Sequence, residues 1–494
     1  MKDLKPLPQS SPELTGVSSG DILEFLQAIE DQRINLHSYM MIRDNQIIAE
    51  GYWKPFHAEF MHRMYSVSKS FVSTAVGMMA DEGKISLTDK IVKYFPDKLP
   101  DPVHPYIMEM TIRDMLMMAT VRDGSVYGDD WTREFFSAEA THKPGSIFFY
   151  DTSGSNTLAA LVERVSGMPL LDYMRPRLLD RLGFSRDAWC IQTPDGYSFG
   201  GSGVICTMRD LAKVALVWLN QGRYQGEQLI SENYIKAAST RQIDNVMPAF
   251  SSVGLNAGYG YQTWILRDHG FAFEGMGSQL AICYPDKNFL FVCTGDTQTS
   301  QAGDSRIIET LWRLVVNKIQ SESLPENPAF LRRLEEVSGS LEVLLPEGKP
   351  ESPLAGKISG KTYVLEPNDT GISKVRLDFS DDRVLFSYTN KTGDKQIVYG
   401  LGKYLDGEFP DHSGHYYGAK IGTPASRGYH CMNAAVWVEE NKIQLVTNAV
   451  DDYFGNLTVS LAFMDNEISL YGLSCAEWFF REYNGFGSGK ARQD

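Results

Sequence analysis

The sequence predicts an α+β domain followed by an all-β module, on three observations. Strand-like hairpins stand near both ends of about the first 320 residues, with helical patterns between them. A stretch rich in Pro, Glu and Ser follows at 320–357. Beyond it, short alternating segments run on towards the C-terminus. The expected division is a first domain at 1–322, a linker at 323–357 and a β domain at 358–494. A length of 494 residues suits two or three domains of about 150 residues each.

The elements follow in order. Residues 34–53 read as two strands around the turn Arg43-Asp44-Asn45-Gln46. After Tyr65 the pattern changes. Val67, Phe71, Val72, Ala75, Val76, Met78 and Met79 are apolar nearly all round, as in a buried helix, and Gly83 supplies the stop. From 111 to about 243, helical patterns alternate with Gly-rich loops, and from 258 to 295 the pattern is strand again. Segments 281–283 and 289–293 flank the turn Pro285-Asp286-Lys287-Asn288. A helix at 305–319 closes the domain, and the linker holds one short helix candidate at 329–337. The β domain shows strands at 375–379, 384–388, 396–399, 434–438, 443–447 and 457–462, the spacing of a small barrel or sandwich.

Composition limits the function. Against 47 Lys and Arg stand 62 Asp and Glu, a net charge of −15, which argues against a nucleic-acid partner. Hydrophobic residues at 43% are enough to form sizeable cores. No uncharged apolar run reaches the roughly 18 residues of a spanning helix, and the polar, Pro-rich N-terminus lacks the apolar core of a signal peptide. The six Cys lack CxxC spacing and read as free thiols of a reducing compartment. The expectation is a soluble cytoplasmic protein with no membrane partner.

Ser66-Val67-Ser68-Lys69 is the chemical centre of the sequence. Three residues apart on a helix, Ser66 and Lys69 share one face, so the amine can reach the hydroxyl. A serine in a first helical turn also has a backbone N–H without an intrahelical partner, suited to an oxyanion hole. Burial would push the lysine towards its neutral, proton-accepting form. A surface Ser and Lys is the bland alternative. The strand-like Arg63-Met64-Tyr65 before the pair and the apolar helix after it favour the catalytic one.

Further runs surround this pair: Glu50-Gly51-Tyr52-Trp53, Gly83-Lys84-Ile85-Ser86-Leu87-Thr88-Asp89, Thr111-Ile112-Arg113-Asp114-Met115-Leu116, Pro144-Gly145 with Phe148 and Tyr150, and Gly200-Gly201-Ser202-Gly203 leading into Thr207-Met208-Arg209-Asp210-Leu211. With these, about residues 30–320 resemble the serine β-lactamase and penicillin-binding-protein superfamily. The similarity is to its class C-like branch of esterases, D-aminopeptidases and 6-aminohexanoate-dimer hydrolases. The resemblance implies an antiparallel sheet flanked by helices with a helical subdomain, and a C-terminal β domain like the lipocalin-like barrels of some members. It also implies that Tyr150 relays protons with Lys69. Where the family has Tyr-x-Asn this chain has Tyr150-Asp151-Thr152, which puts the side-chain contact of that Asn with substrate in question.

The family's third motif, Lys-Thr-Gly or a variant, has a literal match at Lys391-Thr392-Gly393, but that lies in a turn of the β domain. The resemblance places the motif at Glu274-Gly275-Met276-Gly277-Ser278-Gln279 instead, beside Ser66. It implies Thr152, Glu274, Gly275 and Gly277 as substrate-facing residues, and the N–H groups of Ser66 and Met276 as the oxyanion hole. Glu274 stands where β-lactamases and transpeptidases place a cation for the substrate carboxylate. The chain also lacks a Glu-x-x-x-Asn between Lys69 and Gly275. Both gaps point away from penicillin-type substrates.

Three other patterns carry less. Gly196-Tyr197-Ser198-Phe199-Gly200 fits a nucleophile elbow in sequence but lies among loop residues. Asp411-His412-Ser413-Gly414-His415 has too few ligands for a metal site, so no metal or cofactor is expected. His62, four residues before Ser66, is not needed as a base beside a lysine. The expected activity is hydrolysis of a small ester, amide or short peptide through an acyl-enzyme on Ser66. D-amino-acid peptidase, β-lactamase, acyltransferase and a non-catalytic binding protein are the alternatives, and oligomerisation stays open.

Overall fold

A computed structural model describes residues 7–245, 254–299, 303–410, 429–451, 454–476 and 480–492. These divide into two compact units at Val343 and Leu344.

The first unit is built on a six-stranded antiparallel sheet. Its strands are β1 (Leu36–Arg43), β2 (Gln46–Tyr52), β3 (Trp264–Ile265), β4 (Phe271–Gly275), β5 (Gln279–Tyr284) and β6 (Phe289–Gly295), in the order β2-β1-β6-β5-β4-β3. The expected turn between β1 and β2 is tight, with Asp44 and Asn45 at φ 52° and 61°. β1, β5 and β6 are buried at every position, which requires cover on both faces of the sheet. On one face lies α1 (Ser19–Asp31), whose Phe25 meets Phe291 edge-on at 5.4 Å. On the other, Trp218 meets Phe273 at 5.1 Å from a further helix, Met208–Leu219.

The helical part of this unit gathers around α2 (Ser68–Asp81), buried from Ser68 to Met79 as its apolar sequence predicts. Against it packs α3 (Thr152–Ser166), where the side chain of Asp151 caps Gly154 N–H at 3.1 Å. The Met208–Leu219 helix is α4. The closing helix, α5, runs over Gly303–Leu314 rather than 305–319, and a 3-10 turn at Val316–Lys318 follows it. The short helix expected at 329–337 is α6 (Pro328–Gly339), which packs within this unit: Ser338 Oγ lies 2.7 Å from Tyr39 Oη.

The second unit is a closed nine-stranded barrel. Its strands are β7 (Thr362–Leu365), β8 (Lys374–Ser380), β9 (Arg383–Asn390), β10 (Gly393–Leu401), β12 (Tyr429–Glu439), β13 (Lys442–Ala449), β14 (Gly455–Met464), β15 (Glu467–Ala476) and β16 (Gly485–Ala491). The strand β11 (Leu405–Phe409) pairs with β12 from outside the ring. A parallel pairing of Gly400 with Ala434 closes the ring between β10 and β12. Side chains fill its interior, and Tyr399 Oη reaches Thr447 Oγ1 at 2.9 Å. The sequence reading misses β7, β11, β15 and β16. In β16 every second residue from Gly485 to Gly489 is glycine, a composition unlike a strand. Close backbone approach explains it, because a Cβ on Gly489 would fall 2.0 Å from Val364 O.

Candidate active site

Ser66 lies in the 3-10 turn Tyr65–Val67, between the short strand His62–Arg63 and α2. That strand pairs with Val204–Cys206, and Met64 N–H donates to Val204 O at 2.7 Å. Tyr65 takes φ 47°, a left-handed conformation that costs an L-residue about 1–2 kcal/mol. It turns the chain sharply, so that Ser66 stands at the head of α2 with Lys69 one turn below. The Arg63 guanidinium lies 4.5 Å over the Tyr65 ring and donates to Ser202 O at 2.7 Å, tying this turn to the glycine-rich loop 200–203.

Lys69 is 1% exposed. Its Nζ lies 3.0 Å from Ser66 Oγ and donates to Gly201 O at 2.6 Å. Burial lowers its pKa from 10.5 to about 7; the acids Glu274 and Asp151 oppose this and Arg63 assists it. The shift favours the neutral amine beside the Ser66 hydroxyl. The Tyr150 ring stands over Lys69, its centroid 4.8 Å from Nζ, and stacks on Trp264 at 5.6 Å. Burial holds the Tyr150 phenol well above its ordinary value, with Glu274 adding to the shift and a hydrogen bond to Ser66 opposing it. Burial thus moves the two groups in opposite senses, the lysine towards its neutral amine and the tyrosine towards its phenol.

The segment 274–279 forms the end of β4, a turn and the start of β5, with Gly277 and Ser278 at φ 79° and 70°. A Cβ on Gly275 would lie 2.3 Å from Met64 O and 3.2 Å from Val67 N, so this strand end runs directly along the Ser66 turn. Glu274 and Met276 flank that contact. Burial, and then the neighbouring Asp304, raise the Glu274 pKa, while Lys69 opposes the shift. The position holds an acid and not a cation. Thr152 opens α3, and its methyl group faces Gly201, where a Cβ would lie only 2.5 Å away. Ser66, Lys69, Tyr150, Thr152, Glu274, Gly275, Met276 and Gly277 thus converge on one corner of the first unit.

Sequence reading missed the parts of this corner that act at long range: Gly201 as the acceptor for Lys69, Asn156 and Arg63 behind it, and Trp264 and Asp304 around Glu274. The Gly200-Gly201-Ser202-Gly203 run was the available signal for the first. The other patterns fall elsewhere. Lys391 and Thr392 form the exposed turn between β9 and β10. Ser198 lies in a loop, bridged to Gln192, with its N–H on Glu163. Residues 411–415 lie outside the described residues; among the described residues no cluster of His, Cys, Asp and Glu could hold a metal. Nor does any described helix have the length and apolarity to cross a membrane.

The β-lactamase family profile matches residues 25–309. The chain belongs to the β-lactamase family. Over 265 residues it is 26% identical to the 6-aminohexanoate-dimer hydrolase of Paenarthrobacter ureafaciens, spanning 49% of this chain and 67% of that protein. Among solved structures, one from Bacteroides dorei provisionally named a β-lactamase aligns with a TM-score of 0.52 and 14% identity, over 61% of this chain and 99% of that one. Another, from Bacillus anthracis and provisionally named a 6-aminohexanoate-dimer hydrolase, aligns with a TM-score of 0.50 and 17% identity, over 65% and 89%. Both structural matches concern the fold alone.

His62 belongs to the support of this corner. Its Nε2 lies 3.1 Å from His37 Nδ1, and Phe56 stacks on His37 at 3.8 Å. Burial lowers both imidazoles, His62 to about 3, with His62 adding to the shift of His37. Their folded values lie below the unfolded value near 6.5, so the pair's contribution is complete above that pH and is lost as pH falls towards about 3. Urea midpoints measured from pH 7.5 to 4.5 are therefore expected to fall, and to fall less steeply in His62→Gln. Parallel declines in the two proteins would contradict the neutral pair.

Proposed function

We propose that this chain is a serine hydrolase that cleaves an ester or amide bond through an acyl-enzyme on Ser66. The observation that carries this is the placement of the buried Lys69 amine between Ser66 Oγ at 3.0 Å and Gly201 O at 2.6 Å. With one N–H committed to the carbonyl, the neutral amine can turn its lone pair to the hydroxyl. The relative named as a 6-aminohexanoate-dimer hydrolase supports an amide or related bond as the target.

In this reading Lys69 takes the Ser66 proton as Oγ bonds to the substrate carbonyl carbon. The N–H groups of Ser66 and Met276 hold the oxyanion. As the intermediate collapses, the Tyr150 hydroxyl protonates the leaving group and is replenished from the Lys69 ammonium. Water then attacks the acyl carbon, losing its proton through Tyr150 to Lys69. The Lys69 ammonium returns that proton to Ser66 Oγ as the acid leaves. A high Tyr150 pKa suits this relay, because the phenol stays protonated until a proton is drawn through it.

Glu274 narrows the substrate. A cation at its position would contribute about 1.5–3 kcal/mol through a charge-assisted hydrogen bond to a substrate carboxylate. An acid there removes that contact, and because burial and Asp304 drive it towards its neutral carboxyl form, it favours an uncharged substrate group. p-Nitrophenyl acetate or butyrate is expected to be hydrolysed measurably, with kcat/KM for nitrocefin at least about tenfold lower. Nitrocefin outpacing both esters would replace this reading with a β-lactamase. The ester rate is also expected to rise with pH through about 7, as Lys69 loses its proton. A rate that is flat from pH 6 to 8 would remove Lys69 as the base.

A further inference from the structure

We propose that Asn156 is a positioning residue for the proton acceptor, and that it aims the Lys69 amine at Ser66 by holding Gly201 in place. The inference rests on the serine hydrolase reading above.

A neutral lysine has one lone pair on a freely rotating amine, so its usefulness as a base depends on where its N–H groups are committed. Here the commitment is to Gly201 O at 2.6 Å. Gly201 has no side chain to anchor it and lies in a run of three glycines and a serine. Its own N–H donates to Asn156 Oδ1 at 2.8 Å. The peptide that carries Gly201 O is held from its other end by Ser202 N–H, which donates to Phe199 O at 3.0 Å, and the peptide after it by Arg63, which donates to Ser202 O at 2.7 Å. Among the described residues the side chain that holds the Gly201 amide is Asn156.

The approach is close by design of the backbone. A Cβ on Gly201 would lie 2.9 Å from Asn156 Oδ1 and 2.5 Å from Thr152 Cγ2. Thr152 and Asn156 are one turn apart on α3 and share a face, so the helix presents a methyl group and an amide oxygen to the same glycine. Asn156 is 5% exposed, and its Nδ2 has no hydrogen-bond partner. The amide oxygen is therefore the atom the fold uses. The chain of contacts runs Asn156, Gly201, Lys69, Ser66.

Two variants test this, using p-nitrophenyl butyrate hydrolysis across pH 5.5–9 on the full chain. Asn156→Leu removes the acceptor at similar volume; kcat is expected to fall by about tenfold or more with KM within about twofold. Asn156→Asp keeps the acceptor but adds a carboxylate near Lys69, which favours the ammonium. Its kcat at high pH is expected to return to within a few-fold of the wild type, with the acid limb moved to higher pH. The limb reports that position 156 lies within electrostatic reach of Lys69, and the split of kcat from KM in Asn156→Leu reports the positioning, which a merely structural residue would not produce. Folded Asn156→Leu with wild-type kcat, or Asn156→Asp with an unmoved limb, would overturn the proposal. If Asn156→Leu does not fold, Asn156→Ala takes its place with the same expected loss of kcat. If Asn156→Ala does not fold either, the residue serves the fold and the proposal fails. Fluorophosphonate labelling of the wild type separates the two levels. Loss of label in Ser66→Ala supports the underlying reading, and a label retained in that variant overturns it together with this proposal.

Discussion

A charged lysine cannot accept a proton, and a lysine in water is almost always charged near neutral pH. The first unit answers this by burying Lys69 on a helix that is itself surrounded, so that desolvation outweighs two nearby acids. The surrounding structure follows from that requirement. The loop 200–203 must lie directly on α2 and α3 to keep water out. A Cβ on Gly200 would meet Ala159 Cβ at 2.4 Å and Val72 Cγ2 at 2.7 Å, so only glycine allows the approach. The sheet, covered on both faces, then brings the end of β4 against the Ser66 turn.

The charges in this corner are balanced rather than paired. Glu274 and Asp151 favour the Lys69 ammonium, while burial and Arg63 favour the neutral amine. Glu274 is itself driven towards its protonated form by burial and by Asp304. Removing either acid would release Lys69 further from its charge; adding one would hold it charged. The protonation of Glu274 and that of Lys69 are therefore linked.

Much of this was legible in the sequence because it is local. Ser66 and Lys69 are three residues apart, the helix that begins just after Ser66 is apolar nearly all round, and the two hairpins have strong turn residues at Asp44-Asn45 and Pro285 to Asn288. The parts that were not legible depend on contacts distant in sequence. Gly201 reaches Lys69 across 132 residues, and Arg63 reaches Ser202 across 139. No period or spacing signals such pairs. Asn156 reads as one more polar residue in an amphipathic helix until the loop is seen resting on it. In the second unit, β16 was hidden because its glycines answer to close packing of backbones, which overrides strand propensity.

The most direct measurement is mass spectrometry of the protein quenched with acid during turnover of p-nitrophenyl butyrate. An acyl-enzyme on Ser66 predicts a butyryl adduct that maps to the peptide containing Tyr65-Ser66-Val67 and disappears in Lys69→Ala, whose acylation is slowed. Turnover with no adduct at Ser66, or with the adduct on Ser198 or another residue, would contradict it.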